Sequence, residues 1–287
     1  MGLLYNKSMK LSLCLAVYNE EKNIHYALDS AYDIADEVII VDGGSEDKTI
    51  EIAKSYGPKV KIIQTDNPVM FHINKQKAID AAKGEWILQL DADEALSEEL
   101  KKEITDLINS KSETLNSKSQ NSIAYWIPRK NWFLTRFLLK GGQYPDYTIR
   151  LYKNGAAKFP CKDVHENVEL VDSNNQRVTT NDKRHNVGHL NNPILHYADP
   201  DFSRYLMRWN RYTTAEIQNS KFKIQNKNKN LVFMFVEYFI WKPIATFFMM
   251  YFRHKGCMDG FPGFVFALFS ALRFYVIYIK WWARRNK

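Results

Sequence analysis

The chain has 287 residues, and 40 Lys and Arg against 32 Asp and Glu leave it at +8. That length holds one large domain with a sizeable core, or a domain with an appendage. Three cysteines, Cys14, Cys161 and Cys257, sit far apart without metal or redox spacing, and the basic residues do not interleave with aromatics as a nucleic-acid motif would, so neither a cysteine-held centre nor a nucleic-acid partner is expected.

The N-terminal stretch "LSLCLAV" (11–17) is short, follows a polar start and runs into "YNEEKN" without a small-residue cleavage site, so it is expected to be a buried strand and not a signal peptide. "NEEKNIHYALDSAYDI" is expected to be a helix, with Asn19 as its cap and acids in its first turn. "EVIIV" (37–41) is a second strand, and it empties into Asp42, Gly43 and Gly44. "SEDKTIEIAKSYG" is a helix that Ser45 caps and Gly57 closes, and "VKIIQ" is a third strand. "FHINKQKAIDAAKG" is a helix that delivers the chain to a fourth strand, "EWILQL" (85–90). Strands alternating with helices of this length imply a parallel sheet. A further helix is expected over 97–108, then a polar, low-complexity surface loop over 109–122. An aromatic-rich, less regular region runs to about 200, and helices resume near 201.

The end of the chain is different. "LVFMFVEYFIWKPIATFFMMYF" (231–252) and "FPGFVFALFSALRFYVIYIKWW" (261–282) are each about the length of a bilayer span. Glu237, Lys242 and Pro243 interrupt the first, and Arg273 and Lys280 the second. Charge at mid-bilayer is costly, so the expectation is a pair of helices that pack on the domain and press one face into the membrane interface. A soluble core pair and true spanning helices are the alternatives. The terminal "YIKWWARRNK", basic and aromatic without an acid, suits an anionic membrane surface.

In a parallel sheet a ligand lies outside the carboxyl ends of the strands. There the chain places "VYNEE", Asp42, and "DADE", Asp91 to Glu94. On an extended segment Asp91 and Asp93 point to the same side, and two such charges repel unless a cation joins them. A hard divalent cation, Mg²⁺ or Mn²⁺, held by one or two carboxylates completes its shell with substrate phosphates and water, which points to a nucleotide diphosphate. The alternative is an acidic turn capping the helix that follows. Asp42 is placed to accept from a base N–H, with Gly43 and Gly44 allowing close approach of a ring; the alternative is that it caps its own turn. Lys75 and Lys77 supply cations near a pyrophosphate or base, or form a solvated helix face.

"LSLCLAVYNEEKNI", "VIIVDGGSEDKT" and "INKQKAIDAAKGEWILQLDADE" together resemble the family 2 glycosyltransferases, whose fold is the GT-A nucleotide-sugar fold. The second half, in "IPRKNWFL", "GGQYPDYTIRLYKNG", "DVHENV", "LHY" and "GCMDGFPGF", resembles the bacterial enzymes that add glucose to heptose in the lipopolysaccharide inner core. The resemblance implies an α/β GT-A domain over 1–200 with a mostly parallel sheet, and C-terminal apolar helices over 201–287. It implies that Ala16, Val17, Tyr18 and Glu20 line the base and ribose pocket, that Asp42 accepts from the uracil N3–H, and that Lys75 lies near the base. It places Asp91 near the ribose and metal, and Asp93 on the metal. Gly43 stands where the family usually has Ser, and Gln76 where Asn is commoner.

An inverting transfer is a single displacement at the anomeric carbon, so one carboxylate must deprotonate the acceptor hydroxyl. The resemblance favours Glu166, in "VHENV", with Asp163 and Asp146 next, and His165 as either a participant or a core histidine. Arg150 is expected to contact diphosphate or acceptor phosphate, or to pair with Asp146. The implied activity is transfer of a hexose, glucose from UDP-glucose, to a lipid-linked saccharide at the cytoplasmic face of a membrane, by a peripheral enzyme. Transfer to a polyprenyl phosphate, nucleotidyl transfer, and a non-catalytic membrane-associated binding protein are the rival readings.

Overall fold

The computed structural model describes residues 9–285 except 69, 110–121, 162–167, 173–175, 179–185, 200, 220–221 and 223–229. Residues 110–121 of the expected polar loop, and Asp163, His165 and Glu166, therefore lie outside the described residues. The chain divides into two compact units. One comprises Met1–Arg129 and Asp146–His196, the other Lys130–Pro145 and Tyr197–Lys287. The chain passes from one unit to the other three times, after residues 129, 145 and 196, because the segment 130–145 groups with the C-terminal residues and not with its neighbours in sequence.

The first unit opens with β1 (Leu11–Val17), α1 (Ile24–Ala31), β2 (Glu37–Asp42), α2 (Thr49–Ser55), β3 (Val60–Gln64), α3 (His72–Asp80) and β4 (Trp86–Gln89). After these come β5 (Glu94–Leu96), α4 (Glu98–Asn109) and β6 (Ser122–Phe133), the last running into the second unit. The sheet order is β3-β2-β1-β4, then β8 (Asp146–Lys153), β6, β12 (Ile194–Asp199) and β5. β3, β2, β1 and β4 run parallel, whereas β8 is antiparallel to both β4 and β6. The fold is therefore mixed α/β, with a parallel nucleus extended by antiparallel strands.

The apolar runs of β1 and β2 follow from burial on both faces, which is what a parallel sheet covered by helices requires. Alternate residues divide between two cores. Leu11, Leu13, Leu15, Val38 and Ile40 pack with Ile24, Leu28 and Leu100. Cys14, Ile39 and Val41 pack on the other face with Ala78 and Ile79 of α3. Both cores thus bracket the carboxyl ends of β1, β2 and β4 between α1 on one side and α3 on the other.

Two helix starts differ from expectation. α1 begins at Ile24, not after Asn19, because Asn19 adopts φ 55° and its side chain accepts from Glu46 N at 2.9 Å. α2 begins at Thr49, because the Ser45 hydroxyl donates to Asp42 at 2.6 Å and accepts from Asn19 N at 2.9 Å. The loops after β1 and β2 are stitched to each other instead of capping their own helices. Gly57 does close α2, at φ 118°.

In the second unit, β7 (Arg136–Leu138) pairs with the end of β6, and α5 (Phe202–Gln218) follows β12. Two apolar helical segments come last. Leu231–Arg253 contains two π-helical turns, Glu237–Trp241 and Met249–Arg253. A 3₁₀ turn, Gly256–Asp259, then leads into the helix Gly260–Arg285. Both segments are long and apolar enough to cross a membrane by length and composition, with mean hydropathy 1.5 and 1.7. Phe133, Leu138, Tyr205 and Val265 form one core of this unit, and Ile217, Phe222, Met234, Tyr238 and Ile277 another.

Candidate functional site

β1 and β2 end level with each other, Val17 opposite Asp42, and β4 lies on the other side of β1. The three strand mouths therefore open on one edge. Asp42 is 1% exposed. Its carboxylate accepts from Gly44 N at 3.2 Å, from Ser45 N at 3.1 Å, and from the Ser45 hydroxyl. Its observed contacts are those of the turn-capping alternative, and a base N–H would have to share an oxygen with that turn. Gly44 makes the turn possible at φ 84°. A Cβ on Gly43 would stand 3.2 Å from Asn67 Cβ, which is why this position runs without a side chain here.

Ala16 is half-buried, Val17 buried, and Tyr18 exposed at 43%. Glu20 accepts from Asn23 Nδ2 at 2.6 Å, while its own N–H donates to Thr49 Oγ1 at 2.7 Å. The side of the mouth formed by β1 and β2 thus offers an exposed aromatic ring over a firmly stitched pair of loops.

The "DADE" segment is not extended. Glu94 N donates to Asp91 O at 3.0 Å, closing a turn, and Asp91 N donates to Glu94 Oε2 at 3.0 Å. Asp91 and Asp93 therefore have different side-chain partners here. Asp91 is held by two cations: Lys75 Nζ on Oδ1, and Arg150 Nη2 on Oδ2 at 2.7 Å. Arg150 also bonds Gln89 and reaches Glu94 Oε1 at 2.8 Å. Glu94, fully buried, receives Arg129 Nη1 at 3.1 Å, and Arg129 in turn holds Asp146 at 2.7 Å. Six side chains of alternating sign, Lys75, Asp91, Arg150, Glu94, Arg129 and Asp146, thus form one continuous chain. Arg150 supports the acids and does not pair with Asp146; Arg129 takes that place.

The electrostatics follow from this order. Burial alone would raise the Asp91 carboxyl, but Arg150 and Lys75 beside it hold it well below the usual carboxylate range. Burial would likewise raise Glu94, and Arg150 and Arg129 hold it low. Burial pushes the Lys75 ammonium down, against the pull of Asp91. Lys75 also lies 5.0 Å from the Phe71 ring centre, so an aromatic ring faces the same ammonium. Lys77 lies apart from this group, donating to Thr65 Oγ1 at 2.5 Å.

Asp93 has a different neighbour. β12 runs antiparallel to β5 and sets His196 opposite Glu94, which brings His196 Nε2 to 3.7 Å from Asp93 Oδ1. Burial lowers the His196 pKa against the pull of Asp93 and Glu94, which favours the neutral imidazole, the form that binds metal. No cluster of three or more His, Cys, Asp or Glu ligands occurs among the described residues. A carboxylate and an imidazole side by side still fit a cation that takes the rest of its shell from phosphate and water. Asp91 has one oxygen on Lys75 and the other on Arg150. His196 sits within the quoted "LHY", but only the pairing of β12 with β5 brings it to the acids. Glu94 and Arg129 were likewise visible as residues and not as partners.

Residues 12–150 match glycosyl transferase family 2. Over 271 residues the chain is 29% identical to an uncharacterized glycosyltransferase of Rickettsia bellii (strain RML369-C), covering 91% of this chain and 82% of the relative. Among solved structures, the crystal structure of S. aureus TarS aligns over 93% of this chain with 17% identity and a TM-score of 0.45, and this chain spans 49% of it. The crystal structure of S. aureus TarS 1-349 in complex with UDP aligns over 97% of this chain and 92% of that one, with 14% identity and a TM-score of 0.45.

Proposed function

Because residues 12–150 match glycosyl transferase family 2, we propose that this chain is an inverting, metal-dependent hexosyltransferase. Its donor is UDP-glucose, and its acceptor is a lipid-linked saccharide of the lipopolysaccharide inner-core kind at the cytoplasmic face of a membrane. The observation that carries the reading is Asp93 and His196 standing 3.7 Å apart beside the Lys75–Asp91–Arg150 group at the carboxyl end of β4.

In this reading Tyr18 and Asp42 hold the uracil ring, with Ala16, Val17 and Glu20 shaping the ribose side. Lys75 places positive charge at the nucleotide, and Asp91 keeps that ammonium in position. Asp93 and His196 would hold Mg²⁺ or Mn²⁺, and the imidazole donor favours Mn²⁺. Bound there, the cation neutralises charge on the departing diphosphate. Glu166 takes the proton from the acceptor hydroxyl as the new glycosidic bond forms at the anomeric carbon and the bond to UDP breaks. Arg150 supports Asp91 and Glu94 from behind.

Calorimetric titration of UDP, UDP-glucose, UDP-galactose and GDP-mannose, with Mn²⁺, with Mg²⁺ and with neither, tests the reading. UDP-sugar binding that needs the cation and disappears in both Asp93→Ala and His196→Ala supports it. GDP-mannose as sole ligand removes the proposed donor, and no binding by any of the four to folded protein sinks the nucleotide-sugar site. A Glu166→Gln variant that keeps its turnover would point to an acceptor that needs no base, such as an already ionised polyprenyl phosphate.

A further inference from the structure

The second unit carries an apolar surface that sugar transfer does not use. Along Leu231–Arg253, Val232, Val236, Ile240, Ile244, Phe248 and Phe252 are 45–70% exposed, at four-residue steps. On an α-helix each such step overshoots a full turn by about 40°, so five steps would carry the series to the far side. The two π turns, Glu237–Trp241 and Met249–Arg253, hold more residues per turn and cancel the drift. The result is a straight apolar stripe. On the opposite face Met234 and Tyr238 are buried with Ile277 and Phe222.

The stripe ends at a corner. Lys255 turns the chain at φ 58°, Gly256–Asp259 make a single 3₁₀ turn, and Met258 and Phe261 project at 62% and 71% exposure. A second loop is fastened to this corner. Buried Asp259 accepts from Leu139 N at 3.0 Å and Lys140 N at 2.7 Å, and Gly141 N donates to His254 O at 2.9 Å. Lys140 is thereby brought to the same corner as Arg253, His254 and Lys255, and all four are exposed. Asp259, the one acid within 139–143 and 252–261, is committed to those backbone bonds. The corner therefore shows solvent an apolar tip flanked by cations.

We propose that this corner, with the stripe behind it, is the membrane-docking surface of the chain, and that its occupant is an anionic phospholipid bilayer. Met258 and Phe261 enter the acyl boundary, the stripe lies flat in the interface, and Lys140, Arg253 and Lys255 meet lipid phosphates. An apolar face backed by a polar or packed one is what an in-plane helix requires. The core of a protein–protein interface is poor in lysine, whereas lysines beside an apolar tip suit a negatively charged surface. Met234 and Tyr238 pack on Ile217 of α5 and on Phe222 as well as on Ile277, so a spanning arrangement would also have to take Ile217 and Phe222 into the bilayer. The inference deepens the proposed membrane-side acceptor and rests on that reading for its purpose. It assigns the contact to the corner instead of the basic C-terminal tail.

The test is flotation of the full-length chain with phosphatidylcholine vesicles and with vesicles containing phosphatidylglycerol, at low and high salt, with UDP binding measured on the same samples. Binding to the phosphatidylglycerol vesicles that falls with salt is expected. Met258→Ser with Phe261→Ser should weaken it at least tenfold. Lys140→Gln with Lys255→Gly should weaken it about fivefold per lysine; glycine keeps the left-handed turn without strain. Arg284→Gln with Arg285→Gln should leave it unchanged. All these side chains are exposed, and retained UDP binding reports a folded chain. Corner variants that bind like the wild type, or a tail variant that abolishes binding, would overturn the surface. So would salt-insensitive binding to both vesicle types, or concentration-dependent dimerisation without vesicle binding. Vesicle binding without UDP binding supports the surface and sinks the transferase reading, so the two fail separately.

Discussion

Arg150→Met removes the central cation of the buried charge chain while keeping an unbranched side chain of similar length. Arg150 is 7% exposed and bonds Gln89, Asp91 and Glu94. Without it, Asp91 keeps Lys75, but fully buried Glu94 keeps Arg129 at 3.1 Å as its one paired cation, beside the Asp91 N–H, and the group carries one uncompensated negative charge. Breaking a buried pair by deleting one partner costs about 3–5 kcal/mol, because the remaining charge stays out of water. That is a large share of the roughly 5–15 kcal/mol that holds a domain together. Arg150→Lys keeps the charge and loses the fork that reaches two carboxylates, so its loss should be smaller. Adding Glu94→Gln to Arg150→Met removes the orphaned charge, and the double variant should lose less than the sum of the singles, by about 0.5–3 kcal/mol of coupling. Urea unfolding followed by circular dichroism measures all four proteins. A loss below about 1 kcal/mol for Arg150→Met, or strict additivity with Glu94→Gln, would refute the view that these charges form one buried network.

Other expectations concern different parts of the molecule. Glu37 is 1% exposed; burial would raise its carboxyl, but Lys61 at 2.6 Å, Lys83 N at 2.6 Å and Ser12 at 2.7 Å hold it below the usual value. The stability it supplies is fully present above about pH 4.3, and is lost as pH falls through the lower folded value. Glu37→Gln should therefore flatten the acid limb of a plot of urea midpoint against pH; an unchanged limb removes the assignment. His196→Ala should abolish the cation-dependent UDP-glucose binding while the urea midpoint stays near wild type; loss of both would make His196 merely structural. Gly84→Ala would set a Cβ 2.6 Å from Ser12 Oγ and 2.7 Å from Ser12 N, and overpacking of this kind costs about 1–3 kcal/mol. A thermal midpoint equal to wild type would show that β1 can yield there.

The first four strands were legible because a parallel strand buried on both faces writes an unbroken apolar run, as in "LSLCLAV" and "VIIV". Their mouths were legible for the same reason, since each run stops at a polar residue. The site's internal pairing was not. Asp91 owes its state to Lys75 on α3 and to Arg150 on β8, 59 residues away in sequence. No local pattern announces such a partner. Asn19 and Ser45 misled because both have the chemistry of helix caps, and the fold spends that chemistry on joining two loops. His196 illustrates the same limit, as its nearness to Asp93 depends on a strand pairing written in two separated segments.

The π turns of Leu231–Arg253 carry a consequence for how this helix tolerates change. A π turn is an α-helix with one residue too many, so deleting a single residue within Glu237–Trp241 lets the backbone relax to regular α geometry with almost no loss of length. Every residue beyond the deletion would keep its direction, because the π turn had taken up the extra residue without adding rotation, whereas the same deletion in a regular α-helix would turn them by about 100°. Ile244, Phe248 and Phe252 would stay on the line of Val232 and Val236, although the segment had lost a residue. Hydropathy would be the same to the eye, and the continuous ribbon would survive. What is inherited in this segment is thus a phase as much as a composition, and a one-residue deletion at a π turn should be far more neutral than the same deletion in a regular α-helix.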